Sequence, residues 1–105
     1  MSSAPLTPAV FHVLLALADG RLHGYAIMQA VEASSGVAMG PGTIYGTLER
    51  LEACGFVREQ AALRSDRRRT FALLPAGRDA LQQEAGRLSR LASLVRAKRL
   101  VPRES

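Results

Sequence analysis

The sequence predicts a mainly α chain with one small β-hairpin (α+β), in the order helix, helix, helix, hairpin, helix. Three observations carry this expectation. Between Pro41 and Gly55, Ile44, Leu48 and Leu51 recur at i, i+4 and i+7, flanked by a proline suited to a first helical turn and a glycine suited to stop a helix. Phe56–Ala61 and Arg69–Leu74 read as two strands joined by a polar, charged tip. From Pro75 to about Lys98, Leu81, Ala85, Leu88, Ala92 and Val95 form a long apolar seam, with Leu91 and Leu94 beside it.

The totals bound the answer. With 105 residues the chain is one domain with a modest core. Its composition, 48% hydrophobic and 22% charged, is ordinary for a folded protein. No run approaches the roughly 18 consecutive apolar residues of a membrane span. Met1 to Pro8 has neither the basic start nor the apolar run of a secretory signal. A single cysteine excludes an internal disulfide framework and fits a reducing cytoplasm. The net charge of +5 and pI near 10.7 point to an anionic partner. Thirteen arginines stand against a single lysine, Lys98, which a GC-rich coding bias also produces, so the ratio itself carries little.

In chain order, residues 1–6 are expected to be disordered. Thr7-Pro8 is an N-cap followed by proline at the first helical position. Val10, Phe11, Val13, Leu14, Leu15, Leu17 and Ala18 make a helix apolar on most sides, ended by Asp19-Gly20. His23-Gly24-Tyr25 opens a second helix to about Ala33, with Ile27, Met28 and Val31 inward. Ser34-Ser35-Gly36 closes it, and Val37-Ala38-Met39 is expected to add a one-bridge strand. The third helix covers about Pro41 to Ala53. In the second strand Phe71 and Leu73 alternate with Thr70 and Ala72, as one buried face requires.

This order is that of a winged helix–turn–helix over residues 7–75, followed by a dimerisation helix over 76–99 and a loose tail over 100–105. The pieces Leu14-Leu15-Ala16-Leu17, His23-Gly24-Tyr25 and Pro41-Gly42-Thr43-Ile44-Tyr45 occur in that order, followed by Leu48, Leu51 and Gly55. Arg67-Arg68-Arg69 and Phe71-Ala72-Leu73 before Gly77 complete the set. In that order and spacing, over roughly Leu14 to Leu81, the chain resembles the PadR-like transcriptional regulators. The resemblance implies a dimeric winged-helix DNA binder, usually a repressor, dimerised through its C-terminal helix and in many members released from DNA by a small molecule. A single short C-terminal helix is similar to the compact branch of that family. Three positions depart from the family pattern. Gly40 and Leu74 stand where polar N-caps are common, and Gly46 stands where proline is common. Loss of a capping side chain costs on the order of 1 kcal/mol, and a glycine in its place only a few tenths.

The candidate DNA-binding residues on the third helix are Gly42, Thr43, Tyr45, Gly46, Thr47 and Arg50. Two glycines inside a helix cost about 1 kcal/mol each, which makes sense where backbone must approach phosphates or bases closely. Thr43 and Arg50 are the expected base or phosphate contacts, with helix N-terminal amides adding donors. Arg64, Arg67, Arg68 and Arg69 lie on or beside the hairpin tip, the expected wing; alternation allows two of the last three to reach DNA. Tyr45 sits at the edge of the buried stripe, able to pack its ring and offer its hydroxyl. His23 and Tyr25 open the second helix, where His23 serves as turn or cap or contacts a phosphate. The competing reading of the third helix is a core helix with a polar outside.

Phe11, Leu15, Leu81, Leu88, Leu91, Ala92 and Val95 are the expected dimer seam, since a lone helix this rich in leucine exposes more apolar surface than monomers tolerate. A two-fold dimer would set two recognition helices one DNA turn apart on a near-palindromic operator in double-stranded DNA. Cys54 reads as a small buried hydrophobe. His12 and His23 lack spaced partners, so no metal, cofactor or catalytic constellation is expected, and no membrane partner. The expectation is a cytoplasmic, sequence-specific, homodimeric transcriptional repressor and not an enzyme, with a small-molecule effector as a further partner. The alternative is a winged-helix protein-interaction module without DNA binding, favoured by Glu49, Glu52 and Gly46.

Overall fold

The computed structural model describes residues 6–60 and 68–101. Helix α1 spans Pro8–Ala16, with Pro8 in its first turn and the Thr7 hydroxyl accepting from the Val10 amide at 3.2 Å. It stops at Ala16, earlier than Asp19-Gly20, because the chain tightens into turns with Leu17 bonding back to Leu14 and Ala18 to Leu15. Helix α2 spans Gly24–Ser35 and is closed by Gly36 at φ 76°, a left-handed conformation natural to glycine. Helix α3 spans Pro41–Ala53. It ends in a two-bond lock: the Gly55 amide reaches the Glu52 carbonyl and the Phe56 amide reaches that of Leu51, with Gly55 at φ 79°. Neither Gly40 before α3 nor Leu74 before the last helix caps with a side chain, as their residue types require.

The sheet has three strands rather than a plain hairpin. Strands β2 (Val57–Gln60) and β3 (Thr70–Leu73) pair antiparallel, and β1 (Leu22–His23) adds to the other edge of β3, Leu22 opposite Phe71 and His23 opposite Thr70. The extra strand therefore comes from Leu22–His23, and Val37–Met39 forms none. A two-residue strand has no periodicity to show; it exists because its ladder partner is there. Helix α4 spans Pro75–Ala97. The order α1, β1, α2, α3, β2, β3, α4 is a winged helix–turn–helix with an added C-terminal helix.

The core joins all three helices of the motif to the sheet. Val13, Leu14 and Leu17 from α1 and the turn after it, Ile27 and Val31 from α2, Ile44, Leu48 and Leu51 from α3, Val57 and Phe71 from the sheet, and Leu81 from α4 are buried together. The start of α4 is fitted tightly against the corner after α3. The Leu74 amide donates to the Phe56 carbonyl at 2.9 Å, and Gly77 passes so close to that carbonyl that a Cβ could not be placed there.

Further along, α4 buries Leu81 and the carboxylate of Glu84, then leaves the body. Glu84 is paired by both oxygens to Arg87, at 2.8 and 2.7 Å. The hydrogen bonds and charge of Arg87 hold the Glu84 carboxyl below the ordinary carboxylate range, against an opposing push from burial. A carboxyl so depressed contributes stability that is complete above its unfolded value, about 4.3, and lost as pH falls through the lower native value. Glu84→Gln is expected to be less stable than the parent at neutral pH, with a flatter loss of stability on the acid side. Denaturation midpoints measured from neutral pH downward check this; parallel curves for the two proteins would remove the linkage.

Candidate nucleic-acid interface

Helix α3 divides sharply into two faces. Ile44, Thr47, Leu48 and Leu51 are buried, while Pro41, Gly42, Thr43, Glu49 and Arg50 are exposed and Gly46 is half-buried. Thr47 is therefore a correction to the expected contacts. Its side chain is 1% exposed and points into the core, where its hydroxyl donates to the Thr43 carbonyl at 2.8 Å. A small polar residue in a stripe of leucine and isoleucine solves its burial by bonding one turn back, a pattern open to threonine inside a helix. Thr47 instead supports its neighbour: Arg50 Nη2 donates to its hydroxyl at 3.3 Å.

The two outward glycines leave an open backbone. Nothing lies within 4 Å of a Cβ built on Gly42, and only Arg50 Nη1, at 3.9 Å, on Gly46. Thr43 and Arg50 flank this strip. Cys54, expected inside, is exposed at the end of α3, because the helix closes before the chain turns inward at Phe56.

Tyr45 occupies the edge expected of it. Its ring packs on Phe71 at 6.1 Å between centroids, and its hydroxyl rests against Gly24, filling the space a Cβ would take. Tyr25 is 63% exposed in the first turn of α2. His23 is the α2 N-cap: its Nδ1 accepts from the Ala26 amide at 3.2 Å. Arg68 Nη1 also lies 3.0 Å from His23 Nε2. A neutral imidazole has one bare nitrogen, so the cap and a hydrogen bond from Arg68 are alternatives.

Of the expected wing, Arg64 and Arg67 lie outside the described residues. Arg69 does not project toward solvent as an open cation. Its Nε and Nη2 donate to both oxygens of Glu59, and its guanidinium lies over the rings of Tyr45 and Phe71. That pairing lowers the Glu59 carboxyl pKa and raises that of Arg69. The acidic partners at this site are absent from the sequence-based expectation. Glu52 Oε2 accepts from the Glu59 amide at 2.9 Å, tying the end of α3 to β2. The signal available in the sequence is opposite charge on the two arms of one hairpin, Glu59 against Arg69 at a diagonal spacing.

Of the expected dimer seam, Leu15, Leu88, Leu91 and Val95 are exposed and Phe11 and Ala92 are half-buried. Leu81 is a correction: at 5% exposure it belongs to this chain's own core. Among the described residues no group of three His, Cys, Asp or Glu side chains could hold a metal ion, and no helix is long and apolar enough to cross a membrane.

Residues 13–83 match the transcriptional regulator PadR-like family. The chain belongs to that family. An uncharacterized 37.1 kDa protein in transposon TN4556 of Streptomyces fradiae is 52% identical over 83 residues, which are 79% of this PadR-like chain but 24% of that protein. Transcriptional regulator Rv3488 of Mycobacterium tuberculosis is 40% identical over 85 residues, 80% of this chain and 78% of that one. Among solved structures, a PadR family transcription regulator from hypervirulent Clostridium difficile superposes with TM-score 0.74 at 19% identity, covering 87% of this chain and 97% of its own. Bordetella bronchiseptica BpsR, whose DNA binding is regulated by 6-hydroxynicotinic acid, gives TM-score 0.70 at 24% identity over 89% and 67%. Bacillus subtilis PadR in complex with operator DNA gives 0.61 at 22% over 70% and 44%. This PadR-like chain is a transcriptional regulator by family, and the likeness to these structures is one of fold.

Because Gly46 lies in an unstrained helix interior with room for a methyl group, Gly46→Ala is expected to raise stability by about 0.5–1 kcal/mol. Chemical denaturation measures it; a destabilised variant would mean that α3 needs glycine there for its own backbone.

Proposed function

We propose that this PadR-like regulator is a cytoplasmic, sequence-specific repressor that binds a near-palindromic operator as a homodimer. The observation that carries the reading is the outward strip of α3, where Gly42, Thr43 and Arg50 are exposed around Gly46, with room for a Cβ at both glycines, beside an arginine-bearing hairpin. The helix contributes close approach and the few polar contacts that discriminate bases, with Thr43 and Arg50 in the groove. Arg68 and the hairpin tip contribute attraction to phosphates. Tyr25 and the α2 N-terminus face the backbone alongside. The alternative is a protein-interaction module; Glu52, one of its supports, has one carboxylate oxygen engaged by the hairpin backbone.

Dimerisation through α4 is supported by its exposed apolar side chains: Leu88 at 37%, Leu91 at 44%, Leu94 at 51% and Val95 at 36%. Leu91→Glu is expected to shift the protein from dimer to monomer in sedimentation equilibrium and to abolish tight operator binding. A dimer that survives the substitution places the interface elsewhere. Release by a small molecule belongs to the same proposal, supported by the likeness to BpsR. Footprints on the DNA flanking the gene, with and without small aromatic acids such as 6-hydroxynicotinic acid, test it.

The central test is a salt titration of binding to the promoter region of its own gene. The logarithm of affinity is expected to fall with the logarithm of salt at about −0.9 per phosphate neutralised. Arg50→Ala should weaken operator binding by roughly 1–3 kcal/mol while sparing random DNA, and Arg68→Ala should weaken both about equally. The absence of any salt-sensitive complex with the parent protein removes the repressor reading. Equal losses on both DNAs for both variants remove base reading by Arg50.

A further inference from the structure

One side chain at the root of the hairpin joins three elements. Arg69, just before β3, donates through Nε and Nη2 to Glu59 on β2 at 3.0 and 2.9 Å, a planar two-point pair. Its guanidinium carbon lies 4.9 Å from the centre of the Tyr45 ring and 5.4 Å from that of Phe71. Tyr45 belongs to α3, and its hydroxyl is seated against Gly24 in the first turn of α2. The backbone of Glu59 is held in turn by the Glu52 carboxylate from the end of α3. Beyond the packing of Phe71 on Tyr45 and the shared core, the hairpin is thus tied to the recognition helix by the Glu52 carboxylate and by Arg69.

Resting on the DNA-binding reading above, we propose that Arg69 is a positioning residue and not a phosphate contact. The Glu59–Arg69–Tyr45 clamp sets the angle between wing and recognition helix, and so determines whether both halves of the grip fit the same operator at once. Turning Arg69 toward a phosphate would break a two-point ion pair and lift the guanidinium off two aromatic rings. Glu59 would then lose its Arg69 pairing beside the DNA backbone. The hydrogen bonds between the two groups also favour the charged form of each.

The two readings of Arg69 predict opposite signs for Glu59→Gln. If Arg69 grips phosphate, the substitution releases it and removes a negative charge, and DNA binds more tightly. If the clamp positions the wing, operator binding weakens by about threefold to tenfold despite the lost negative charge. Arg69→Lys separates them again, since lysine keeps the charge but loses the planar pair and the stacking. The expected result is that Glu59→Gln and Arg69→Lys both weaken operator binding, leave random-duplex binding nearly unchanged, and keep the parent salt slope. Tighter binding by Glu59→Gln, or a lysine variant equal to the parent, overturns the proposal. So does a slope reduced by about 1.8, one phosphate per subunit of the dimer, in Arg69→Gln.

A readout without DNA keeps failure of the clamp distinct from failure of the DNA-binding reading. Both Glu59→Gln and Arg69→Lys should shift the Tyr45 ring resonances of the free protein, with exposed Tyr25 as the internal reference. Unmoved Tyr45 resonances overturn the clamp whatever the DNA result. The paired side chains are 45% and 35% exposed, so these variants retain the folded core.

Discussion

The burial of one face of α3 fixes the placement of most other functional groups. Ile44 and Leu48 are fully buried, Thr47 nearly so, and Leu51 closes the stripe. Once those four side chains point inward, a helix of 3.6 residues per turn must turn Gly42, Thr43, Gly46, Glu49 and Arg50 outward. The glycine that stops this helix also places the next elements. With Gly55 left-handed, Phe56 is delivered to a position where its carbonyl accepts the first amide bond of the α4 corner and abuts Gly77. The outer face of α3, the hairpin and the C-terminal helix are thereby referenced to the same few residues.

The charge is distributed unevenly over this frame. The outer face of α3 carries Arg50 alongside Glu49 and Glu52, so that helix by itself attracts a polyanion weakly. Two nearby acids are already engaged within the protein: Glu59 faces Arg69 and Glu52 faces a backbone amide. On the proposed reading, attraction comes from the hairpin arginines and from doubling the site in a dimer, while α3 contributes fit. An open glycine strip serves fit rather than affinity, since it removes side chains instead of adding contacts.

The legibility of the sequence tracks the strength of local signals. Helices α1, α3 and α4 are readable because a first-turn proline and apolar spacing agree at each, and for α3 these together with Gly55 place it at Pro41–Ala53. Strand β1 is not, since Leu22–His23 has no pattern of its own and is strand only through its pairing with β3. The polarity of Thr47 suggests an outward side chain, although its spacing with Ile44, Leu48 and Leu51 puts it on the buried arc; periodicity outranks residue type there. Cys54 misleads in the other direction, with residue type suggesting burial at a position that the helix end leaves open. Arg69 is visible in the sequence as a charge, and its pair becomes readable only once the register of the hairpin sets Glu59 diagonal to it.

Helix α4 changes character along its length, and Glu84 marks the change. Before it, Gly77 and Leu81 are buried against the body; after Arg87, the apolar side chains Leu88, Leu91, Leu94 and Val95 stand exposed. The radius of gyration, 15.4 Å, exceeds the about 13 Å of a globular chain of this size. A buried carboxylate closed by its own arginine is a suitable boundary between these halves. It is satisfied within the chain and needs no partner, so the apolar seam beyond it can be covered independently of the core. On the dimer reading, a second copy packing on that seam would fix the separation of two α3 helices through a rigid rod rather than a loop. The spacing of operator half-sites would then be written in the length of α4, while the choice of bases within each half-site would be written in α3.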